Sequence, residues 1–148
     1  MSRFVRLCET ASPTGDEREI ADMVRSELES LGLEVSEDDA AGPAGAGAGN
    51  LLARIPGRSR ADGSDPGFVM FCAHLDTVPP QGRIGGVLGE DGTYRSAGDT
   101  ILGADNKAAV AVLIEMAARA VAAPPAIGLE LLFTVAEEQG LRGAAAFD

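Results

Sequence analysis

The sequence predicts an α/β layered fold with a largely parallel sheet, and three observations carry that prediction. Two short, nearly continuous apolar runs, Phe68–Cys72 and Leu129–Val135, read as strands, and the first reads as buried on both faces. Two longer segments, one spaced by Ile20, Val24, Leu28 and Leu31 and one running from Asn106 to Ala122, read as helices. Strands and helices alternate along the chain, the signature of layered α/β architecture.

The elements follow in order. Ser2 to Thr10 is predicted as a short amphipathic helix, stopped by Ser12-Pro13. Thr14-Gly15-Asp16-Glu17 has the form of a capping box, with Thr14 as N-cap and Glu17 reaching back to it; Gly32 supplies the stop of the helix that follows. Leu33–Ser36 and Asn50–Ile55 read as short strands, the second closed by Pro56-Gly57. The alanine- and glycine-rich tract Ala40–Gly49 between them reads as a flexible loop. It precedes a strand and ends in Asn50, so it does not match a dinucleotide fingerprint. Arg58–Gly67 is a polar loop, Pro79 to Gly92 is proline- and glycine-rich, and Thr93–Ala97 reads as a short strand. The Asn106–Ala122 helix carries Glu115 and Arg119 as an exposed i,i+4 pair and ends at Pro124-Pro125.

The 148 residues suffice for one domain with a real core, and 45% hydrophobic with 24% charged residues is an ordinary globular balance. A net charge of −11 argues against nucleic acid and anionic membrane surfaces as partners. Met1–Thr10 lacks the apolar core of a signal peptide and no run approaches the length of a membrane span, so the expected compartment is the cytoplasm. Cys8 and Cys72 are far apart and form neither a disulfide framework nor a thiolate metal pattern.

The chemistry-bearing residues sit behind the strands. His74, the only histidine, and Asp76 follow the first apolar run; at positions i and i+2 both point to one side. They read as a metal ligand with its orienting partner, or as a catalytic pair. Asp105 lies at the mouth of the long helix, and Glu137-Glu138 follow the second apolar run. Ligands of open α/β sheets bind beyond the carboxyl ends of the strands, so these groups are expected to share one crevice. Convergent carboxylates need a cation to offset their repulsion, and one imidazole with several carboxylates suits zinc, with cobalt or manganese as alternatives. Asp105 could bridge two ions. Each acid alone has a plainer reading: Asp105 as a helix N-cap, Glu137-Glu138 as a solvated strand end, His74 as a hydrogen-bonded structural residue. Lys107 is not a phosphate-loop lysine, because the glycine pattern around it is absent.

Five separated motifs resemble the M20 metallopeptidases, and within them the peptidase T-like (tripeptide aminopeptidase-like) branch. They are Ser12-Pro13-Thr14-Gly15-Asp16-Glu17, Gly49-Asn50-Leu51, His74-Leu75-Asp76-Thr77-Val78, Gly103-Ala104-Asp105-Asn106-Lys107 and Glu137-Glu138-Gln139-Gly140. The resemblance implies a three-layer α/β/α zinc-peptidase-like catalytic domain acting on small peptides through two zinc ions. It implies His74, Asp105 and Glu138 as metal ligands, Asp105 bridging, with catalytic Asp76 orienting His74 and Glu137 as general base. It further implies a cis bond after Asp105 when the metal site is formed. Members of the family carry a third metal-binding carboxylate, a second histidine and an inserted lid or dimerisation domain. Residues 1–148 are therefore expected to be the N-terminal part of a catalytic domain, incomplete at its C-terminus, with any homodimer formed through the missing domain. Alone, the chain is expected to bind metal weakly and to hydrolyse little. Two other functions stay open: an M20-type deacylase of N-acyl amino acids, and a catalytically inactive truncated α/β module.

Overall fold

The structure, a computed structural model, describes residues 2–147. In chain order the elements are α1 (Arg3–Glu9), α2 (Arg18–Ser30), β1 (Val35–Glu37), α3 (Ala41–Ala44), β2 (Leu51–Ile55), β3 (Phe68–His74), β4 (Gly86–Leu88), β5 (Tyr94–Ser96), α4 (Ala104–Ala122), β6 (Gly128–Thr134) and α5 (Arg142–Ala145). The main sheet has the order β1-β2-β6-β3, and β4 and β5 form a separate hairpin.

The sheet is mixed and less parallel than predicted. Only β3 and β6 run parallel; β1 with β2 and β2 with β6 are antiparallel. The connections differ accordingly: the 19-residue α4 provides the crossover between the parallel β3 and β6, whereas the β1–β2 link holds only the four-residue α3. The core lies where alternate residues of the strands, including Leu51, Ala53, Ala73, Leu131 and Phe133, meet Val24 and Leu28 of α2 and Val110, Ile114 and Ala117 of α4. A period of two on the sheet and of nearly four on the helices is what lets those residues share one layer.

Four expectations are corrected. β3 is not buried on both faces: it is an edge strand, and Phe68 to Cys72 are exposed, Met70 to 45%. Its apolar run reflects composition; burial would need neighbours on its outer edge and outer face. The capping box does not form. Helix α2 begins only at Arg18, Glu17 makes no capping bond to it, and both Thr14 and Glu17 engage distant partners instead. The Ala40–Gly49 tract is not a loose loop: it contains α3, ends that helix at Gly45 in the left-handed region (φ 68°), and buries Ala40, Ala44 and Ala48. Small residues there serve close packing. Finally, β4 was not expected; it pairs with β5 inside the glycine-rich stretch.

Other expectations hold. Gly32 (φ 82°) ends α2 in a Schellman arrangement, with Leu33 N–H on Leu28 O and Gly32 N–H on Glu29 O. Leu31 of the apolar stripe becomes the C-cap and is half-buried. The Glu115–Arg119 pair forms at 2.9 Å. No described helix is long and apolar enough to cross a membrane.

Candidate active site

The parallel pairing of β3 with β6 sets the site. In that register His74 lies opposite Thr134, so the residues that follow both strands emerge at one edge of the sheet. Residues 12–14 add to the same edge: Thr77 N–H donates to Ser12 O at 2.9 Å, and Thr14 N–H to Thr77 O at 3.2 Å. The N-terminus of α4 brings in Asp105, between Gly103 (φ 73°) and the first regular turn of the helix. Asp105 and Asn106 have non-helical dihedrals, and the bond joining them is cis.

All five sequence-predicted residues meet there. Ligand atoms of His74, Asp105 and Glu138 all lie within 4.8 Å of one another. His74 is buried, whereas the Asp105 and Glu138 side chains are exposed. His74 Nε2 stands 3.2 Å from Asp105 Oδ1 and 3.8 Å from Glu137 Oε2. Its Nδ1 faces the Asp76 backbone carbonyl at 2.9 Å and the Asp76 carboxylate at 3.4 Å. Two acceptors at Nδ1 hold a proton there, so Nε2 is the nitrogen that would face a cation, which would take the place of the proton that the neighbouring carboxylates favour on it. The backbone carbonyl is the closer orienting partner, which the His-x-Asp spacing did not reveal.

The electrostatics follow from the same contacts. Burial opposes charge on His74, but the hydrogen bond and charge of Asp76, with Glu137 nearby, raise its pKa to about 9. Burial alone would push Asp76 upward; donors from His74, Thr14 and the N–H groups of Glu137 and Glu138 outweigh it and hold the carboxyl at about 2. Asp76 is fully buried, with Thr14 Oγ1 at 2.7 Å, Glu137 N at 3.0 Å and Glu138 N at 3.2 Å. A cluster of one imidazole and three surrounding carboxylates, with its histidine already oriented, fits a divalent cation by the chemistry of its donors. Beside it lies a cleft of about 410 Å³ walled by Val78, Ile101 and Leu102 and bordered by Asp105 and Glu138.

Sequence reasoning missed what supports these groups. Lys107 is fully buried, and its Nζ donates to Ser12 Oγ at 2.7 Å and to the carbonyls of Thr10 and Leu7 at 3.4 and 3.5 Å. Desolvation lowers its pKa to about 8. It thus ties α4 to the segment that carries Thr14 to Asp76. The signal was its place on the buried stripe of α4 with Val110, Ile114 and Ala117, where a lysine must bring its own acceptors.

Comparisons with known proteins agree with this geometry. The model of peptidase family M28 matches residues 50–148. The uncharacterised protein YqjE of Bacillus subtilis (strain 168) is 36% identical over the whole chain. A tripeptidase from Staphylococcus aureus superimposes with a TM-score of 0.87 at 33% identity over 99% of the chain. The aminopeptidase PepT from Bacillus cereus gives 0.85 at 38% identity over 98%. The chain spans about 38% of the length of each of these three relatives. The peptidase class expected from the motifs therefore stands: the matching family model is that of M28, and the similarity to the tripeptidase and to PepT is consistent with the peptidase T-like resemblance. The chain belongs to peptidase family M28.

Proposed function

We propose that these residues form part of the active site of a metal-dependent hydrolase that cleaves amide bonds of small peptides, of the peptidase T-like kind. The observation that carries the reading is the convergence of His74, Asp105 and Glu138 ligand atoms within 4.8 Å, beside an imidazole whose Nδ1 is already committed. His74, Asp105 and Glu138 would hold zinc, or cobalt or manganese in its place, with Asp105 offering one oxygen to each of two ions. When bound, such ions polarise a carbonyl and make a water more acidic. Asp76 keeps His74 in the ligating tautomer. Glu137, with its carboxylate 3.8 Å from His74 Nε2, takes a proton from the attacking water and returns it to the departing amine. The Val78, Ile101 and Leu102 wall of the cleft offers apolar surface to the substrate.

We further propose that residues 1–148 are the N-terminal part of the catalytic domain, with further ligands and a lid or dimerisation domain supplied from beyond them. The 38% coverage of the two similar peptidases supports this, as does the single histidine. In the complete gene product, Glu137→Gln is expected to lower tripeptide turnover by about 10²–10⁴-fold with metal content unchanged. Loss of metal in that variant would make Glu137 a ligand instead. Faster cleavage of an N-acetyl amino acid than of a tripeptide would replace the peptidase by a deacylase. The 148-residue chain alone is expected to hydrolyse little, and vigorous chelator-sensitive hydrolysis by it would overturn the proposed division.

A further inference from the structure

Beyond β6 the chain leaves the sheet, and four successive backbone N–H groups pass to side-chain acceptors. Val135 donates to Asn50 Oδ1 at 3.1 Å and Ala136 to Glu17 Oε1 at 3.3 Å. Glu137 and Glu138 donate to the two oxygens of Asp76 at 3.0 and 3.2 Å. All three acceptors are buried, Glu17 and Asp76 completely. They come from three separate segments, so no local sequence pattern sets this turn.

Glu17 stands out among them, because the proposed chemistry does not use it and no lysine or arginine among the described residues pairs with it. Its carboxylate is solvated by backbone alone: Oε1 accepts from Gly15 at 3.1 Å and from Ala136, and Oε2 accepts from Gly47 at 2.6 Å. A buried carboxylate is costly unless hydrogen bonds satisfy it. What it offers in return is two acceptor oxygens and no hydrogens, so an amide in its place would turn an N–H towards at least one of the three donors. Gly47 completes the cradle, since a Cβ there would lie 2.8 Å from Glu17 N. The residue held on the other side, Ala136, adopts φ 50°, the left-handed conformation that turns the chain into Glu137 and Glu138.

We propose that Glu17 is a positioning residue for the Glu137–Glu138 turn, with Asn50 as the second anchor, so that two residues remote in sequence set where these carboxylates stand. The inference rests on the reading of Glu137 as base and Glu138 as ligand only for its consequence; the anchoring itself can be tested without metal. Glu17→Gln is nearly isosteric and is compared with Val24→Ala, which opens the core at α2 but removes none of the hydrogen bonds that hold the turn. Amide hydrogen exchange is the first readout. In Glu17→Gln the amides of Ala136, Glu137 and Glu138 are expected to exchange roughly tenfold faster relative to those of Leu131–Phe133. In Val24→Ala that ratio is expected to stay at its original value. An unchanged ratio in Glu17→Gln overturns the proposal.

Cobalt is the second readout. Glu17→Gln is expected to weaken cobalt binding by about 10–100-fold and to alter its visible absorption, whereas Val24→Ala leaves the absorption of the loaded protein unchanged. If the unmodified chain shows no cobalt absorption, the metal reading fails while exchange still decides the anchoring. If Glu17→Gln does not fold, exchange in the unmodified chain decides: protection of Ala136–Glu138 comparable with β6 supports the anchoring, and exchange at open-loop rates overturns it.

Discussion

Replacing Asp76 by alanine is expected to destabilise the chain by about 3–5 kcal/mol, measured by urea unfolding monitored by circular dichroism. The size follows from what the side chain does. It is fully buried and receives the Thr14 hydroxyl, two backbone N–H groups and a contact from His74 Nδ1. Removing it leaves the Glu137 and Glu138 N–H groups without their acceptor, at about 1–3 kcal/mol for each buried donor left unsatisfied. It also leaves an imidazole that Asp76 had oriented. Asp76→Asn keeps the shape but turns an amide N–H towards one of the donors, so it is expected to fall between the alanine variant and the unmodified chain. A loss below about 1 kcal/mol for the alanine variant would show that Asp76 behaves as an exposed acid and that the turn holds itself.

Replacing His74 by alanine is expected to abolish the stabilisation that zinc confers. A cation that binds only the folded chain adds about 2.7 kcal/mol at a hundredfold excess over its dissociation constant. For a domain of this size that corresponds to a rise of roughly 5–10 °C in Tm. His74 is the only imidazole in the chain and the only buried member of the ligand group. The remaining Asp105 and Glu138 carboxylates are exposed and would compete with water for the ion. An equal zinc shift in His74→Ala and in the unmodified chain would place the zinc elsewhere. No shift in either, and none in the complete gene product, would remove the metal from the proposed function.

Much of the candidate site was legible before any coordinates, because its residues follow simple positional rules. His74, Asp76, Glu137 and Glu138 each sit just beyond an apolar run, and strands in layered α/β folds deliver such residues to a common edge. The helix signals of α2 and α4 were legible for a similar reason: periodicity and terminating residues are local. β3 was misread because an apolar run reports composition, whereas burial depends on what lies beside the strand. Thr14 and Glu17 were misread because the local capping rule competed with partners 30 to 119 residues away. For Thr14 the competing partner is the ionised Asp76 at 2.7 Å.

By itself, then, the sequence determined which atoms could do chemistry and at which strand ends they stand. Only the tertiary structure decided how those atoms are held. Asp76 grips the backbone of Glu137 and Glu138, Glu17 grips Ala136 and Gly47, and Lys107 ties α4 to Ser12. Each of these contacts joins segments with no periodic relation. A buried polar group must find its partner wherever the folded backbone brings one, and that is a property of three-dimensional packing.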